Sequence, residues 1–172
     1  MKKETIYNIA WNIRKEVEQC QKRGYFTSFP NGFCALSSIW IYDILCKKSH
    51  FVEIRQKTPF YRNYPHTWVH CDGFDVDITS DQFKGNNFPK VYVGNDNALY
   101  YHFDEVSSKE ILFPTEFILK QMCDNLLKEG IETLYTNLGI DVNLFYEVTK
   151  RVYFTGNERM LITHDSNRLR FS

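Results

Sequence analysis

The sequence places a histidine and an aspartate on either side of a short turn signal. His66 precedes the dipeptide Asp72-Gly73, and Asp77 follows it. Asp-Gly readily supplies the two φ > 0 residues of a type I′ turn, so the flanking β-branched and aromatic residues predict a β-hairpin. A carboxylate beside a histidine accepts one ring N–H, fixes the tautomer and stabilises the imidazolium. The pair therefore suits general acid–base chemistry.

A two-residue turn also predicts how the two strands pair. Cys71 is expected opposite Phe74, His70 opposite Asp75, Val69 opposite Val76, Trp68 opposite Asp77, and His66 opposite Thr79. Because side chains alternate between faces, one face is predicted to be core and the other polar. The core face collects Thr67, Val69, Cys71, Phe74, Val76 and Ile78, and the polar face His66, Trp68, His70, Asp75, Asp77 and Thr79. His66 and Asp77 are then diagonal neighbours, about 7–8 Å apart at the backbone and within side-chain reach.

Cys34 supplies the nucleophile that this pair lacks. It lies where an irregular loop containing Pro30 and Gly32 gives way to an apolar helical pattern. The N–H groups of a first helical turn and the positive end of the helix dipole stabilise a thiolate and lower its pKa. The same N–H groups can bind an oxyanion. Cys34, His66 and Asp77 therefore predict a catalytic triad of the Cys-His-Asp type.

Three short motifs resemble the transglutaminase-like branch of the papain-like cysteine hydrolases. They read Phe29-Pro-Asn-Gly-Phe-Cys34-Ala-Leu-Ser-Ser, Pro65-His66-Thr-Trp-Val and Asp77-Ile-Thr79, and the resemblance spans residues 28–93. In that family the catalytic Cys begins a central helix, the His lies on one strand with a Trp two residues later, and the Asp lies on the next strand in an Asp-x-Thr motif. Arylamine N-acetyltransferases share the same core. The resemblance implies a peptidase, glutamine deamidase or transglutaminase that acts on a peptide or protein without a cofactor.

The sequence departs from the family pattern just before the nucleophile. A papain-type Gln is absent there, since the nearby positions read Phe26-Thr27-Ser28. The backbone N–H of Cys34 is one candidate donor to an oxyanion, and the Asn31 side chain is another. Trp68, which matches the Trp of the family motif, is assigned with Asn31 to oxyanion and substrate binding. Gln19 and Gln21 of the first helix are weaker candidates.

Two other interpretations of the hairpin compete with the triad. Asp75 shares the polar face and is the rival acid, but Asp77 is nearer to His66 in the predicted register. A zinc site is suggested by His66 and His70 on one face, beside Cys71 and Asp72. Cys71 is expected on the opposite face and Asp72 in the turn, so no metal site is predicted. A binding module without catalysis, built on the same scaffold, stays open as well.

The helices and strands predicted to position these residues indicate one α+β domain over residues 1–172. Its core is expected to be papain-like or transglutaminase-like, with a central helix that carries Cys34 packed on a small antiparallel sheet. Residues 28–93 form the predicted catalytic core, and residues 95–172 a mainly helical extension. Helices are predicted at 4–22, at 34–48 and from Thr115 to a stop at Gly130, with a shorter one at 141–150. Strands are predicted at 51–56 and 91–93, besides the hairpin.

Composition limits the class of protein and of partner. The 172 residues are 43% hydrophobic and carry 21 basic and 21 acidic side chains, so the formal net charge is zero. This composition favours a folded globule without a nucleic-acid surface. No stretch approaches the ~20 apolar residues of a membrane span, and the N-terminus lacks the apolar region of a signal peptide. Five cysteines without a CxxC pair favour reduced thiols. We expect a cytoplasmic protein, or one exported without an N-terminal signal peptide. Its oligomeric state stays open.

Overall fold

A small antiparallel sheet with helices packed against it makes this an α+β protein. The computed structural model describes residues 1–57, 66–83, 87–95 and 125–145. Within them the strands pair in the order β1-β2-β3-β4, each antiparallel to its neighbour. The elements are α1 (Lys3–Lys22), α2 (Cys34–Leu45), β1 (Val52–Lys57), β2 (His66–Cys71), β3 (Phe74–Asp77), a 3-10 turn (Ser80–Gln82), β4 (Tyr92–Asn95) and α3 (Asn125–Leu138). Residues 142–145 are also helical.

Helices α1 and α2 form where the sequence predicts them. The buried residues of α1 recur at helical spacing, as expected for an amphipathic helix on the surface of a core. In α2 nine of the twelve residues are buried, because this helix packs against β1, β2 and β3 and also contacts α1. The buried residues of α1 are Ile6, Ala10, Ile13, Arg14, Val17 and Cys20.

The hairpin between β2 and β3 has the predicted turn and register. Asp72 and Gly73 both have positive φ, at 48° and 87°, as a type I′ turn requires. The paired residues are Val69 with Val76, His70 with Asp75, and Cys71 with Phe74. Strand β4 pairs with the other edge of β3, so that Val93 lies opposite Val76.

Both faces of the hairpin are buried, which the alternating pattern alone did not predict. All six residues of β2 are buried. The face that carries Val69 and Val76 belongs to the main core with α1 and α2. The opposite face carries a second apolar cluster made of Trp68, Phe83, Phe88 and Tyr92. The chain after β3 therefore folds back over the polar face and encloses its charged groups.

Helix α3 corrects the predicted end of the C-terminal helix. It runs through Gly130 and ends at Leu138, directly before Gly139, whose φ is 68°. A Cβ at Gly130 would lie 3.0 Å from the ring of Phe26, so this glycine permits a close approach of two elements. Thr115 and most of the segment 95–172 lie outside the described residues, so the extension and the single domain stay predictions. No helix in the described ranges is long and apolar enough to cross a membrane.

Candidate active site

The three predicted triad residues are brought together at the ends of three elements. Cys34 is the first residue of α2, His66 is the first of β2, and Asp77 is the last of β3. Because α2 packs directly on β2, the start of the helix and the start of the strand are neighbours. The Cys34 side chain is half-buried, whereas the His66 and Asp77 side chains are each 2% exposed.

His66 and Asp77 form a buried ion-pair contact. Nε2 of His66 lies 2.8 Å from Oδ2 of Asp77. The other carboxylate oxygen, Oδ1, accepts hydrogen bonds from the backbone N–H of Thr79 at 2.7 Å and from its hydroxyl at 2.8 Å. Thr79 therefore fixes the orientation in which Asp77 meets the imidazole. This contact explains the chemical value of the Asp-x-Thr spacing.

The Cys34 thiol contacts the same imidazole. Burial disfavours the thiolate, but the hydrogen bond from His66, the charge of its ring and the backbone N–H of Thr67 together lower the pKa of Cys34 below its ordinary value of 9.0. Asp77 acts in the opposite direction through its charge. Since Nε2 is held by Asp77, Nδ1 is the ring nitrogen that is left to interact with the sulfur.

His66 is correspondingly easier to protonate. Burial opposes its positive charge, but the charge and hydrogen bond of Asp77 and the contact with Cys34 raise the pKa of His66 to about 9. A lowered thiol pKa beside a raised imidazole pKa favours transfer of the thiol proton to the ring, which gives a thiolate–imidazolium pair. The pair forms as the pH rises through the pKa of Cys34 and disappears as the imidazolium loses its proton near pH 9.

The other described cysteines have the opposite character. Burial raises the pKa of Cys20, and burial together with nearby acidic groups raises the pKa of Cys46 and of Cys71 to about 11. They are therefore inert thiols at neutral pH. Cys123 lies outside the described residues.

Aromatic side chains enclose His66. The indole of Trp68 lies 6.1 Å from the imidazole, nearly parallel to it, and the ring of Phe83 meets it edge-on at 4.6 Å. Trp68 is fully buried. In this arrangement both rings restrict the imidazole and exclude water from it, and substrate binding by Trp68 stays a prediction.

The candidate oxyanion donors have different environments in the structure. Cys34 begins α2, and the first N–H groups of a helix are not used by its internal hydrogen bonds. Asn31 is exposed in the loop before it. The Gln21 amide donates to the carbonyl oxygens of Thr27 at 3.3 Å and Phe29 at 3.0 Å, so it braces that loop. Gln19 is exposed on α1.

Arg14 is a buried residue that the sequence pattern had passed over. Its guanidinium binds both carboxylate oxygens of Asp81, at 2.9 and 3.0 Å, and donates to the carbonyl oxygen of Ile78 at 2.6 Å. It also lies 4.5 Å from the ring centroid of Phe29. The feature of the sequence that could have identified Arg14 is a charged residue at a core-facing position of α1, between Ala10 and Val17.

Gln82 is the second residue that sequence reasoning missed. Its side-chain amide nitrogen lies 3.0 Å from the carbonyl oxygen of Thr79 and 3.5 Å from Nδ1 of His66. It stands in the 3-10 turn directly after the Asp-x-Thr motif. Nothing in the hairpin pattern indicates that this turn folds back onto the strand that carries the histidine.

The rival residues occupy a separate network. His70 contacts Asp75 at 3.1 Å, and Arg55 lies 3.6 Å from the same carboxylate. Cys71 belongs to the main core, and Asp72 accepts a hydrogen bond from Ser49 at 2.7 Å. Among the described residues, no three or more His, Cys, Asp or Glu side chains lie close enough together to hold a metal ion.

No family model, curated protein or solved structure matches the chain. The functional interpretation therefore depends on the geometry of Cys34, His66 and Asp77 and on the chemistry that this geometry permits.

Proposed function

We propose that this protein is a cysteine hydrolase that acts on an amide bond of a peptide or protein, as a peptidase or a glutamine deamidase. The observation that carries the proposal is the continuous contact from the Cys34 thiol through the His66 ring to the Asp77 carboxylate. Each member has the environment that its role requires: a half-buried sulfur, an enclosed imidazole, and a carboxylate held by Thr79.

The reaction follows from the two states of His66. The Cys34 thiolate attacks the amide carbonyl carbon and forms the C–S bond, while the carbonyl electron pair moves onto oxygen. As the intermediate collapses, Nδ1–H of His66 protonates the leaving amine and the C–N bond breaks. Water then attacks the thioester and gives its proton to Nδ1, and the acid product leaves as the thiolate returns. Asp77 holds Nε2–H throughout and stabilises the imidazolium.

The order of elements supports a place in the papain-like, transglutaminase-like group of enzymes. A helix begins with the nucleophile and packs on an antiparallel sheet, and the His and the Asp lie on successive strands of that sheet. An amine in place of water would turn the same thioester intermediate into transglutaminase or acyltransferase chemistry. Hydrolysis and transfer therefore share every step up to the thioester.

The test is covalent trapping followed by product analysis. Incubation with a peptide vinyl sulfone at pH 7 should give one adduct by intact-mass spectrometry, and peptide mapping should place it on Cys34. Cys34→Ala should abolish the adduct, whereas the matched variant Cys46→Ala should leave it unchanged, because burial raises the pKa of Cys46 to about 11.

Glutamine-containing peptides, with and without an added primary amine, then separate the possible reactions. Cleavage or deamidation identifies a hydrolase, and incorporation of the amine identifies a transferase. Preferential labelling of Cys46 or Cys71, or no turnover of any amide by a protein that binds peptides, would contradict the proposed enzyme.

A further inference from the structure

We propose that the side-chain amide of Gln82 is the second donor to the substrate carbonyl oxygen, beside the backbone N–H of Cys34. The role is that of an oxyanion donor supplied from the 3-10 turn after β3 instead of from the loop before the nucleophile. This inference rests on the proposed amide chemistry at Cys34, and it assigns a catalytic contact to a residue outside the triad.

Cys34 and Gln82 are both accessible beside His66. The catalytic contact is enclosed on most sides, because His66 and Asp77 are almost fully buried and Trp68 is fully buried. Cys34 and Gln82 are both half-buried and both touch the His66 ring. A carbonyl group that reaches the sulfur beside Nδ1 therefore comes close to the Gln82 amide.

The side-chain amide of Gln82 is held in a defined orientation. One N–H of Gln82 donates to the carbonyl oxygen of Thr79 at 3.0 Å, which holds the amide plane in place. The same nitrogen lies 3.5 Å from Nδ1 of His66, the ring nitrogen that Asp77 leaves available to Cys34. The remaining N–H of Gln82 is thereby placed next to the reacting pair.

The charge state of the pair decides what this N–H can bind. In the thiolate–imidazolium form, Nδ1 carries a proton and has no lone pair, so it cannot accept from Gln82. The amide N–H then needs an oxygen acceptor. Attack on a carbonyl creates one next to the sulfur, where fixed N–H donors lower the energy of the transition state.

The 3-10 turn is also held rigidly enough for this role. Arg14 binds Asp81 with two hydrogen bonds and donates to Ile78, and these contacts fix the chain on both sides of Thr79. Donors that are in place before the reaction need no reorganisation when the negative charge develops.

Two reagents separate a donor from a residue that only positions His66. Iodoacetamide alkylates Cys34 by displacing iodide from a saturated carbon, so no oxyanion forms. p-Nitrophenyl acetate acetylates Cys34: the C–S bond forms at the carbonyl, an oxyanion develops, and p-nitrophenolate leaves with the electron pair of the broken C–O bond. Gln82→Leu should slow acetylation about 100-fold. It should change the alkylation rate by less than about threefold, with the same pH profile.

Matched variants complete the experiment. Gln19→Leu makes the same change at an exposed glutamine of α1 and should leave both rates unchanged. Gln82→Glu keeps the size of the side chain but removes the N–H donors, so it should slow acetylation even if Gln82→Leu fails to fold. Equal slowing of both reactions would make Gln82 a positioning residue, and unchanged acetylation would remove any role; either result overturns the inference.

A different result in the same measurements would contradict the proposed function itself. If alkylation of wild-type Cys34 shows no reactive thiolate below pH 8 and no preference over Cys46, then the nucleophile is not activated. That result overturns the enzyme and the role of Gln82 together. A loss confined to the Gln82 variants concerns Gln82 alone.

Discussion

Asp77 uses its two carboxylate oxygens for different partners. Oδ1 accepts two hydrogen bonds from Thr79, and Oδ2 meets Nε2 of His66. The first contact sets the direction of the second, so the imidazole is kept in the tautomer and orientation that present Nδ1 to the sulfur. The negative charge at Oδ2 also contributes to the raised pKa of His66.

Asp77→Asn should therefore reverse the direction of the hydrogen bond between residue 77 and His66, while the two side chains keep their positions. The two Thr79 donors require an oxygen at the Oδ1 position, which turns the new NH₂ group toward Nε2 and makes Nε2 an acceptor. The imidazolium then loses its stabilising charge. We expect alkylation of Cys34 at pH 6.5 to fall at least about tenfold. The reactive limb of the pH profile should move toward the ordinary thiol pKa of 9.0.

Asp75→Asn is the matched control for this prediction. Asp75 lies on the same strand but contacts His70 and Arg55. Its substitution should leave the pH profile of Cys34 alkylation in place, even if the protein becomes less stable. Superimposable profiles for the wild type and Asp77→Asn would show that Asp77 does not act on His66.

At the scale of elements, α1 connects the two parts of the site. Arg14 reaches from this helix to Ile78 and Asp81 after β3, and its guanidinium lies over Phe29 in the loop that leads to Cys34. The planar guanidinium suits this position, because it forms two parallel hydrogen bonds with Asp81 and can also lie against an aromatic ring.

Arg14→Met should destabilise the protein by roughly 2–3 kcal/mol, because it removes several charge-assisted hydrogen bonds and leaves the Ile78 carbonyl buried without its donor. The loss of stability is limited because Asp81 is partly exposed and water can reach it. Urea denaturation measures the change. Arg14→Lys should recover part of the loss, because it keeps the charge but not the paired geometry.

Lys15→Met is the control, since the neighbouring residue is exposed. It should change the stability by less than about 0.5 kcal/mol. If Arg14→Met is as stable as Lys15→Met, the guanidinium contacts do not hold α1 to the segment after β3.

At the scale of the whole molecule, a buried polar contact joins α3 to α2. The hydroxyl of Tyr135 donates to Oδ2 of Asp43, and both side chains are fully buried. Burial raises the pKa of Asp43 to about 7, although the hydrogen bond from Tyr135 and the charge of Lys47 act in the opposite direction. Asp43 is therefore easier to protonate in the folded protein than in the unfolded chain.

This difference predicts that stability falls as the pH rises. The folded pKa of Asp43 lies above the unfolded value of 3.8, so its contribution is fully present below about pH 4 and is lost as the pH rises through about 7. Asp43→Asn keeps an acceptor for Tyr135 without the charge. It should raise the melting temperature at pH 8 by about 4–8 °C, and change it little at pH 4.5, where the wild-type carboxyl is mostly neutral.

Glu129→Gln provides the comparison, because it removes a carboxylate from an exposed position of α3. It should give nearly the same melting temperature as the wild type at both pH values. A difference between Asp43→Asn and the wild type that is equal at pH 4.5 and pH 8 would show that the Asp43 charge does not limit stability.

The sequence by itself determined the features that depend on local chain geometry. Asp72-Gly73 requires a tight turn, and a tight turn sets the register, so the pairing of Val69 with Val76 and of His70 with Asp75 was predictable. The start of α2 at Cys34 followed from the change between a loop with Pro and Gly and an apolar helical run. The expectation that Gly130 would end a helix was wrong. This glycine instead permits a close contact with Phe26, which is far away in the sequence.

Only the tertiary structure decided which groups meet across long stretches of chain. The polar hairpin face is buried under Phe83 and Tyr92. Gln82 and Arg14 contact residues to which no periodicity relates them. Periodicity shows which side of an element is buried, but the partner on that side is chosen by packing the whole core. That packing is why a helix residue passed over in the pattern, Arg14, holds the segment that follows Asp77.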